Sequence, residues 1–168
     1  VSEPPLSLHL ADAAATESLG AALANFLPAL ERGGLVVHLH GDLGAGKTTL
    51  VRGFLRQLGV SGPVRSPTYT LVEPYRVGAL TCVHVDLYRL QDPGETEEIG
   101  LREHLAPRTI LLIEWPQKGA QAVPPPDLVI DLDYAGDARI ATLYPKTEQA
   151  AGFMNLRKGL GETDKSLI

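Results

Sequence analysis

The feature that most constrains this chain is a run of three local patterns that follow one another without a gap. Leu35-Val36-Val37-His38-Leu39-His40 is a compact, mostly apolar run of the kind that fills a buried strand. Gly41 to Gly46 is a glycine-rich turn. From Lys47 to Leu58, Leu50, Phe54, Leu55 and Leu58 share one helical face, and Gly59 is placed to end that helix. Strand, glycine loop and helix in this order predict an α/β domain.

The turn itself has a chemistry. Gly41-Asp42-Leu43-Gly44-Ala45-Gly46-Lys47-Thr48 matches the phosphate-binding pattern G-x-x-x-x-G-K-[ST]. Glycines let the backbone curl until several N–H groups point at one phosphate, and the N-terminus of the helix beyond adds partial positive charge. Lys47 brings a full charge to the β- and γ-phosphates, and the Thr48 hydroxyl is a ligand for the magnesium ion that bridges them. A chain of this length and composition produces the pattern by accident in roughly one case in 200. The bland alternative is a glycine turn that happens to precede a lysine. The strand before it and the helix after it make a nucleotide site the stronger reading.

A phosphate loop needs acidic groups for metal and water, and these should stand at strand ends. Asp86 closes the run Cys82-Val83-His84-Val85, and Glu114 closes Ile110-Leu111-Leu112-Ile113. Either can hold the metal, directly or through water, while the other polarises the attacking water. Each could instead be the polar residue where a strand surfaces. Ser66-Pro67-Thr68-Tyr69 lies after the first loop helix, where nucleotide switches place a threonine that senses the γ-phosphate; an ordinary proline turn is the alternative. His84 alternates with apolar neighbours and reads as a hydrogen-bonded interior or half-exposed histidine rather than a base. Trp115 fits either a core anchor or an exposed contact. Glu95, Glu97 and Glu98 read as a solvated helix start, Lys118 and Arg139 as candidate phosphate or base contacts, and Cys82 as a small buried hydrophobe.

The remaining elements follow from pattern. Leu6 to Leu10 alternates as an edge strand, and Asp12 and Thr16 are candidate caps for a helix running to Gly33-Gly34 with Leu19, Leu23, Phe26, Leu27 and Leu30 on its apolar face. Thr68 to Val77 and Leu80 to Tyr88 form a hairpin about Gly78-Ala79, which grafts antiparallel pairing onto a parallel sheet. Asp92-Pro93-Gly94-Glu95 starts a helix. Thr109 to Ile113 is a strand, Gln117 to Pro126 a proline-rich loop, and Leu128 to Tyr134 with Ala138 to Tyr144 a second hairpin. Residues 1–145 are read as one domain, and 146–168 as a frayed or short helical tail in which Phe153, Leu156 and Leu160 support a helix.

Composition sets the outer limits. With 168 residues, 44% of them hydrophobic, one core is the default. A net charge of −5 argues against tight binding of RNA or DNA by this chain alone. A single cysteine excludes a disulfide framework or a thiolate zinc site. There is neither a membrane-spanning run nor a basic-then-apolar signal at the N-terminus, so a soluble cytoplasmic protein with no membrane partner is expected.

Four motifs in order, Gly-Asp-Leu-Gly-Ala-Gly-Lys-Thr-Thr at 41–49, Ser-Pro-Thr-Tyr-Thr-Leu-Val at 66–72, His-Val-Asp-Leu-Tyr-Arg at 84–89 and Glu-Trp-Pro at 114–116, give the chain a resemblance to the TsaE family. These are the ATPase components of the bacterial machinery that makes threonylcarbamoyladenosine in tRNA. The resemblance spans about Leu6 to Tyr144. It implies binding of ATP or ADP with magnesium and slow hydrolysis of ATP by the protein alone. It also implies support of a TsaB–TsaD complex that modifies adenosine 37, with tRNA met only through that complex and no role for DNA. By the same resemblance Gly44, Ala45, Gly46, Lys47, Thr48 and Thr49 match the nucleotide loop, and Thr48 and Glu114 the magnesium ligands. Asp86 matches an acidic residue needed for hydrolysis, and Ser66 to Thr68 the switch-like loop. Arg139, after the stretch holding Asp131 and Tyr134, matches a nucleotide-contacting arginine.

A small-molecule kinase is the alternative function, but that class carries a lid with clustered arginines, and here they are scattered. A guanine-nucleotide switch would need Asn-Lys-x-Asp on a late strand, and neither Asn25 nor Asn155 is so placed. A module that keeps nucleotide only as a structural ligand would not need Lys47, Thr48, Asp86 and Glu114 together. The expected architecture is a three-layer P-loop NTPase fold with a mixed parallel and antiparallel sheet.

Overall fold

The computed structural model describes residues 4–30, 33–92 and 94–156. Apolar strands β2 (Leu35–His40), β4 (Leu80–Asp86), β5 (Thr109–Glu114) and β6 (Leu128–Ala135) lie parallel at the centre of the sheet. Antiparallel strands complete it: β1 (Leu6–Leu10) and β7 (Ala138–Pro145) on one side, β3 (Val72–Val77) on the other. The seven strands run in the order β1-β7-β6-β2-β5-β4-β3. The mixed α/β sheet read from the sequence is therefore observed.

Strand periodicity divides the core in two. Leu35, Val37 and Leu39, with Ile110, Leu112 and Cys82, point to the face covered by helices α1 (Ala13–Asn25) and α2 (Lys47–Leu58). Val36, Leu111, Ile113, Val83 and Val85 point to the opposite face, under Leu87, Leu90, Leu101 and Val123 from the segments around helix α3 (Gly94–Ile99). The result is three layers. Phe54 and Leu55 of α2 are buried in the first core, each such side chain stabilising the fold by about 1.5–3 kcal/mol.

Helices α1 and α2 touch backbone to backbone. A Cβ at Gly53 would stand 2.0 Å from the Glu17 carbonyl oxygen, and one at Gly20 would stand 2.1 Å from that of Leu50. Glu17 also meets Arg52 at 3.2 Å and Arg56 at 3.6 Å, tying the pair together at the surface.

Several assignments differ from the sequence reading, among them the end of β4, which stops at Asp86 and not at Tyr88. Helix α1 ends at Asn25, not at Gly33-Gly34, because Pro28 disfavours helical geometry at Leu27 before it; Leu30 is still buried. Strand β3 begins at Val72 and not at Thr68. Residues 68–70 form a turn, and Leu71 takes a positive φ of 62°. The stretch read as a proline-rich loop contains a 3-10 segment, Pro116–Ala122. Asp12 caps α1 by accepting from the Ala15 N–H at 2.8 Å. Phe153 and Leu156 lie at a 3-10 segment, Glu148–Asn155, and pack into the first core. Pro93 and Leu160, invoked in the helix assignments, lie outside the described residues.

Candidate nucleotide site

Period-two alternation brings the site together. Cys82, His84 and Asp86 of β4 share a face with Ile110, Leu112 and Glu114 of β5, and Asp86 and Glu114 are register partners. Both carboxylates thus emerge at the C-terminal ends of adjacent parallel strands, on the side where α2 begins. They are only 5% and 3% exposed.

Between β2 and α2 the loop turns through positive φ at Gly41 (147°), Gly44 (79°) and Gly46 (109°), which L side chains resist. Space is as restrictive as torsion. A Cβ at Gly41 would lie 2.6 Å from the Leu132 carbonyl oxygen, and one at Gly44 2.8 Å from the Tyr134 hydroxyl. That hydroxyl donates to the Leu43 carbonyl at 2.7 Å, and Arg139 donates to the Gly44 carbonyl at 3.3 Å while its guanidinium stacks on the Tyr134 ring. The β6–β7 hairpin therefore grips the loop by its outward carbonyls. The start of α2 differs from that of α1 in that Gly46 offers no capping side chain; as in α1, no acid stands in the first turn. Its N–H groups suit an external anion.

Gly44, Gly46, Lys47, Thr48, Thr49, Ser66, Thr68, Asp86 and Glu114 line one cleft of about 400 Å³. Every residue expected at the site is there except Ala45 and Arg139, which line a smaller hollow of about 110 Å³ on the other flank of the loop. Gly44, Gly46 and Thr49 border both. Lys47 donates to the carbonyls of Gly41 at 2.5 Å and Asp42 at 2.9 Å, with its ammonium 4.4 Å from the centre of the Trp115 ring. Burial lowers its pKa below the ordinary lysine value, opposed by Glu114, Asp86 and Asp42. The Thr48 hydroxyl donates to Glu114 Oε1 at 2.8 Å. Asp86 accepts from the Ser66 hydroxyl through Oδ2 and from the Tyr88 N–H at 3.0 Å through Oδ1. Thr68 hydrogen-bonds Ser66.

Among the described residues no three His, Cys, Asp or Glu side chains converge as a metal cage. A cation here would take one or two protein oxygens and complete its shell with phosphate and water, as magnesium does. Thr48 and Glu114, already in contact, are suited to that role.

Sequence reasoning left Trp115 open; it follows Glu114 in a left-handed turn (φ 56°) with its ring against Lys47 and 5.0 Å from that of Tyr88. It did not find the hold of Tyr134 on the loop, which depends on a hairpin 91 residues away and has no local signal. Nor did it find the partner of His84, which donates to Glu114 at 2.7 Å; the alternation Cys82, His84, Asp86 was a usable signal. Cys82 is buried, as expected. Lys118 lies 5.8 Å from the centre of the Tyr88 ring and does not line the cleft.

Residues 10–141 match the family described as threonylcarbamoyl adenosine biosynthesis protein TsaE. A Haemophilus influenzae protein named tRNA threonylcarbamoyladenosine biosynthesis protein TsaE is 49% identical over 113 residues, covering 67% of this chain and 72% of its own. A Bacillus subtilis protein of the same name is 40% identical over 116 residues, covering 69% and 72%. The crystal structure of Bacillus subtilis YdiB superposes with a TM-score of 0.73 at 26% identity, over 94% of this chain and 97% of that one.

Proposed function

The chain belongs to the TsaE family, whose role is in tRNA threonylcarbamoyladenosine biosynthesis, and from that premise we propose that it is a magnesium-dependent ATPase. It acts as the accessory subunit that supports a TsaB–TsaD complex in modifying adenosine 37. The observation that carries the ATPase reading is the Thr48–Glu114 pair at 2.8 Å, set at an uncapped helix N-terminus inside the cleft.

In this reading the loop N–H groups and Lys47 hold the β- and γ-phosphates. Lys47 exchanges its contacts with the Gly41 and Asp42 carbonyls for phosphate oxygens, and burial strengthens each charge-assisted bond. Thr48 and Glu114 hold the magnesium ion, which when bound neutralises charge on the phosphate oxygens. Asp86 orders the attacking water and accepts its proton as the bond between the γ-phosphorus and the bridging oxygen breaks, releasing ADP and phosphate. The Ser66 hydroxyl holds Asp86 in place, and Thr68 in the same turn responds to loss of the γ-phosphate. Arg139, bordering the smaller hollow beside Thr49, contacts the nucleotide beyond its phosphates.

Among the described residues Arg89 is the one arginine lining the cleft, and it stacks on Tyr69 at 4.3 Å. That gives no support to a kinase lid. No helix among the described residues is long and apolar enough to cross a membrane, and a chain of net charge −5 is suited to meeting tRNA through its partners in the cytoplasm. The test is phosphate release from magnesium ATP by the protein alone and with TsaB–TsaD. Strong stimulation supports the proposal; release unchanged by the partners would favour an independent kinase or hydrolase.

A further inference from the structure

We propose that His84 is a positioning residue that fixes the Glu114 carboxylate for metal binding, an inference that rests on reading the cleft as a magnesium–nucleotide site. His84 is fully buried, at 0% exposure. One ring nitrogen, Nε2, meets Glu114 Oε1 at 2.7 Å, and the other, Nδ1, has no hydrogen-bond partner among the described residues. A buried polar atom without a partner costs stability. Its neighbours on the same face of the sheet, Cys82 of β4 and Leu112 of β5, are apolar and buried, so packing at this position does not call for an imidazole. What the imidazole contributes that an aliphatic side chain would not is the single bond to Glu114.

That bond selects an oxygen. A carboxylate only accepts, so Nε2 carries the proton and donates. The Thr48 hydroxyl donates to the same atom, Oε1, at 2.8 Å. A glutamate side chain has three rotatable torsions, and one donor would leave its carboxylate free to pivot. Two donors from different elements, β4 and α2, pin Oε1 and leave Oε2 for a cation or its water. His84 is absent from the residues lining the cleft; it acts through Glu114, as the outer partners of metal-binding carboxylates do in general.

The test compares His84→Leu, His84→Gln and Glu114→Gln in the full chain. Two quantities are read: the magnesium concentration giving half-maximal ATP turnover, and the affinity for a fluorescent ADP analogue in EDTA. The proposal expects His84→Leu to need about 10- to 100-fold more magnesium while its affinity in EDTA stays within about twofold of the unmodified protein. His84→Gln, whose amide nitrogen reaches about as far as Nε2, should restore most of the loss; a purely structural role would not give that split or that rescue. Unchanged magnesium dependence in His84→Leu, with a clear shift in Glu114→Gln, would overturn the positioning role alone. No shift in either variant would overturn it together with the magnesium reading of the cleft. Should His84→Leu fail to fold, His84→Asn stands in its place, because the shorter amide sits near Nδ1 and cannot reach Glu114. Equal magnesium dependence of the Asn and Gln variants would then refute the proposal.

Discussion

Replacing Gly53 by alanine sets two well-known effects against each other, and the structure decides between them. In an exposed helix interior, glycine to alanine stabilises by about 1 kcal/mol. Here the new Cβ would stand 2.0 Å from the Glu17 carbonyl oxygen, 2.7 Å from its carbon and 2.8 Å from Cα, all backbone of α1. No rotamer change can relieve that. To reach the 3.4 Å of ordinary contact the helices must part by more than 1 Å, which strips packing from Leu50 and Phe54 as well. Overpacking of this kind costs about 1–3 kcal/mol, and more where backbone must move; taking the upper end and subtracting the propensity gain leaves a net loss of about 2 kcal/mol. For a domain of this size that lowers the melting temperature by about 4–8 °C. Urea unfolding of Gly53→Ala beside Gly152→Ala, where a Cβ meets nothing within 4 Å, gives the comparison. The control should stay within about 0.5 kcal/mol of the parent. A Gly53→Ala protein as stable as the parent or more so would refute the backbone contact between α1 and α2.

Lys47→Ala should weaken ADP and ATP binding at least about tenfold, the worth of a lost charge-assisted bond, as measured by titration calorimetry; undiminished affinity would remove the loop from the site. Burial holds the His38 pKa at about 4, assisted by His40 and opposed by its bond to the Pro124 carbonyl. Between pH 6.5 and 4 the unfolded chain therefore binds a proton that the folded one refuses, so the stability present above pH 6.5 is lost as pH falls towards 4. His38→Asn should flatten that slope in urea midpoints taken across the window. The Cys82 thiol, pushed up to about 12 by burial, should resist alkylation by iodoacetamide at pH 8 in native protein and react fully once unfolded.

The phosphate loop and its flanking elements were legible because each rests on local rules. An apolar run, glycines at positive φ and a helix with one apolar face need no distant partner to be recognised. Asp86 and Glu114 were legible as strand ends, and the parallel register that pairs them follows from β4 and β5 being neighbours. Thr68 to Leu71 were misread as strand because β propensity speaks for them. The structure instead curls this stretch, with the Leu71 N–H on the Pro67 carbonyl at 2.8 Å and the Asp86 N–H on the Leu71 carbonyl at 3.0 Å, and the curl sets Ser66 against Asp86. Tertiary contact at the site outweighed local preference. The end of α1 differs for another reason: the apolar spacing of Phe26, Leu27 and Leu30 continues the helical pattern, but Pro28 stops the helix before it. Tyr134 and Arg139 gripping the loop could not have been read at all without knowing that β6 lies beside β2.

The pairing of Asp86 with Glu114 across two parallel strands makes chain length, more than residue identity, the fixed quantity in β4 and β5. A conservative substitution at Val83 or Leu111 changes how well one layer packs. Deleting one residue from either strand rotates everything beyond it through the sheet, and one of the two carboxylates would then face the layer under Leu87 and Val123 instead of the phosphate loop. Protein engineers can expect these strands to accept many sequences and no indels, while length changes at solvent-facing turns such as Gly136-Asp137 leave the spacing of the two acids untouched.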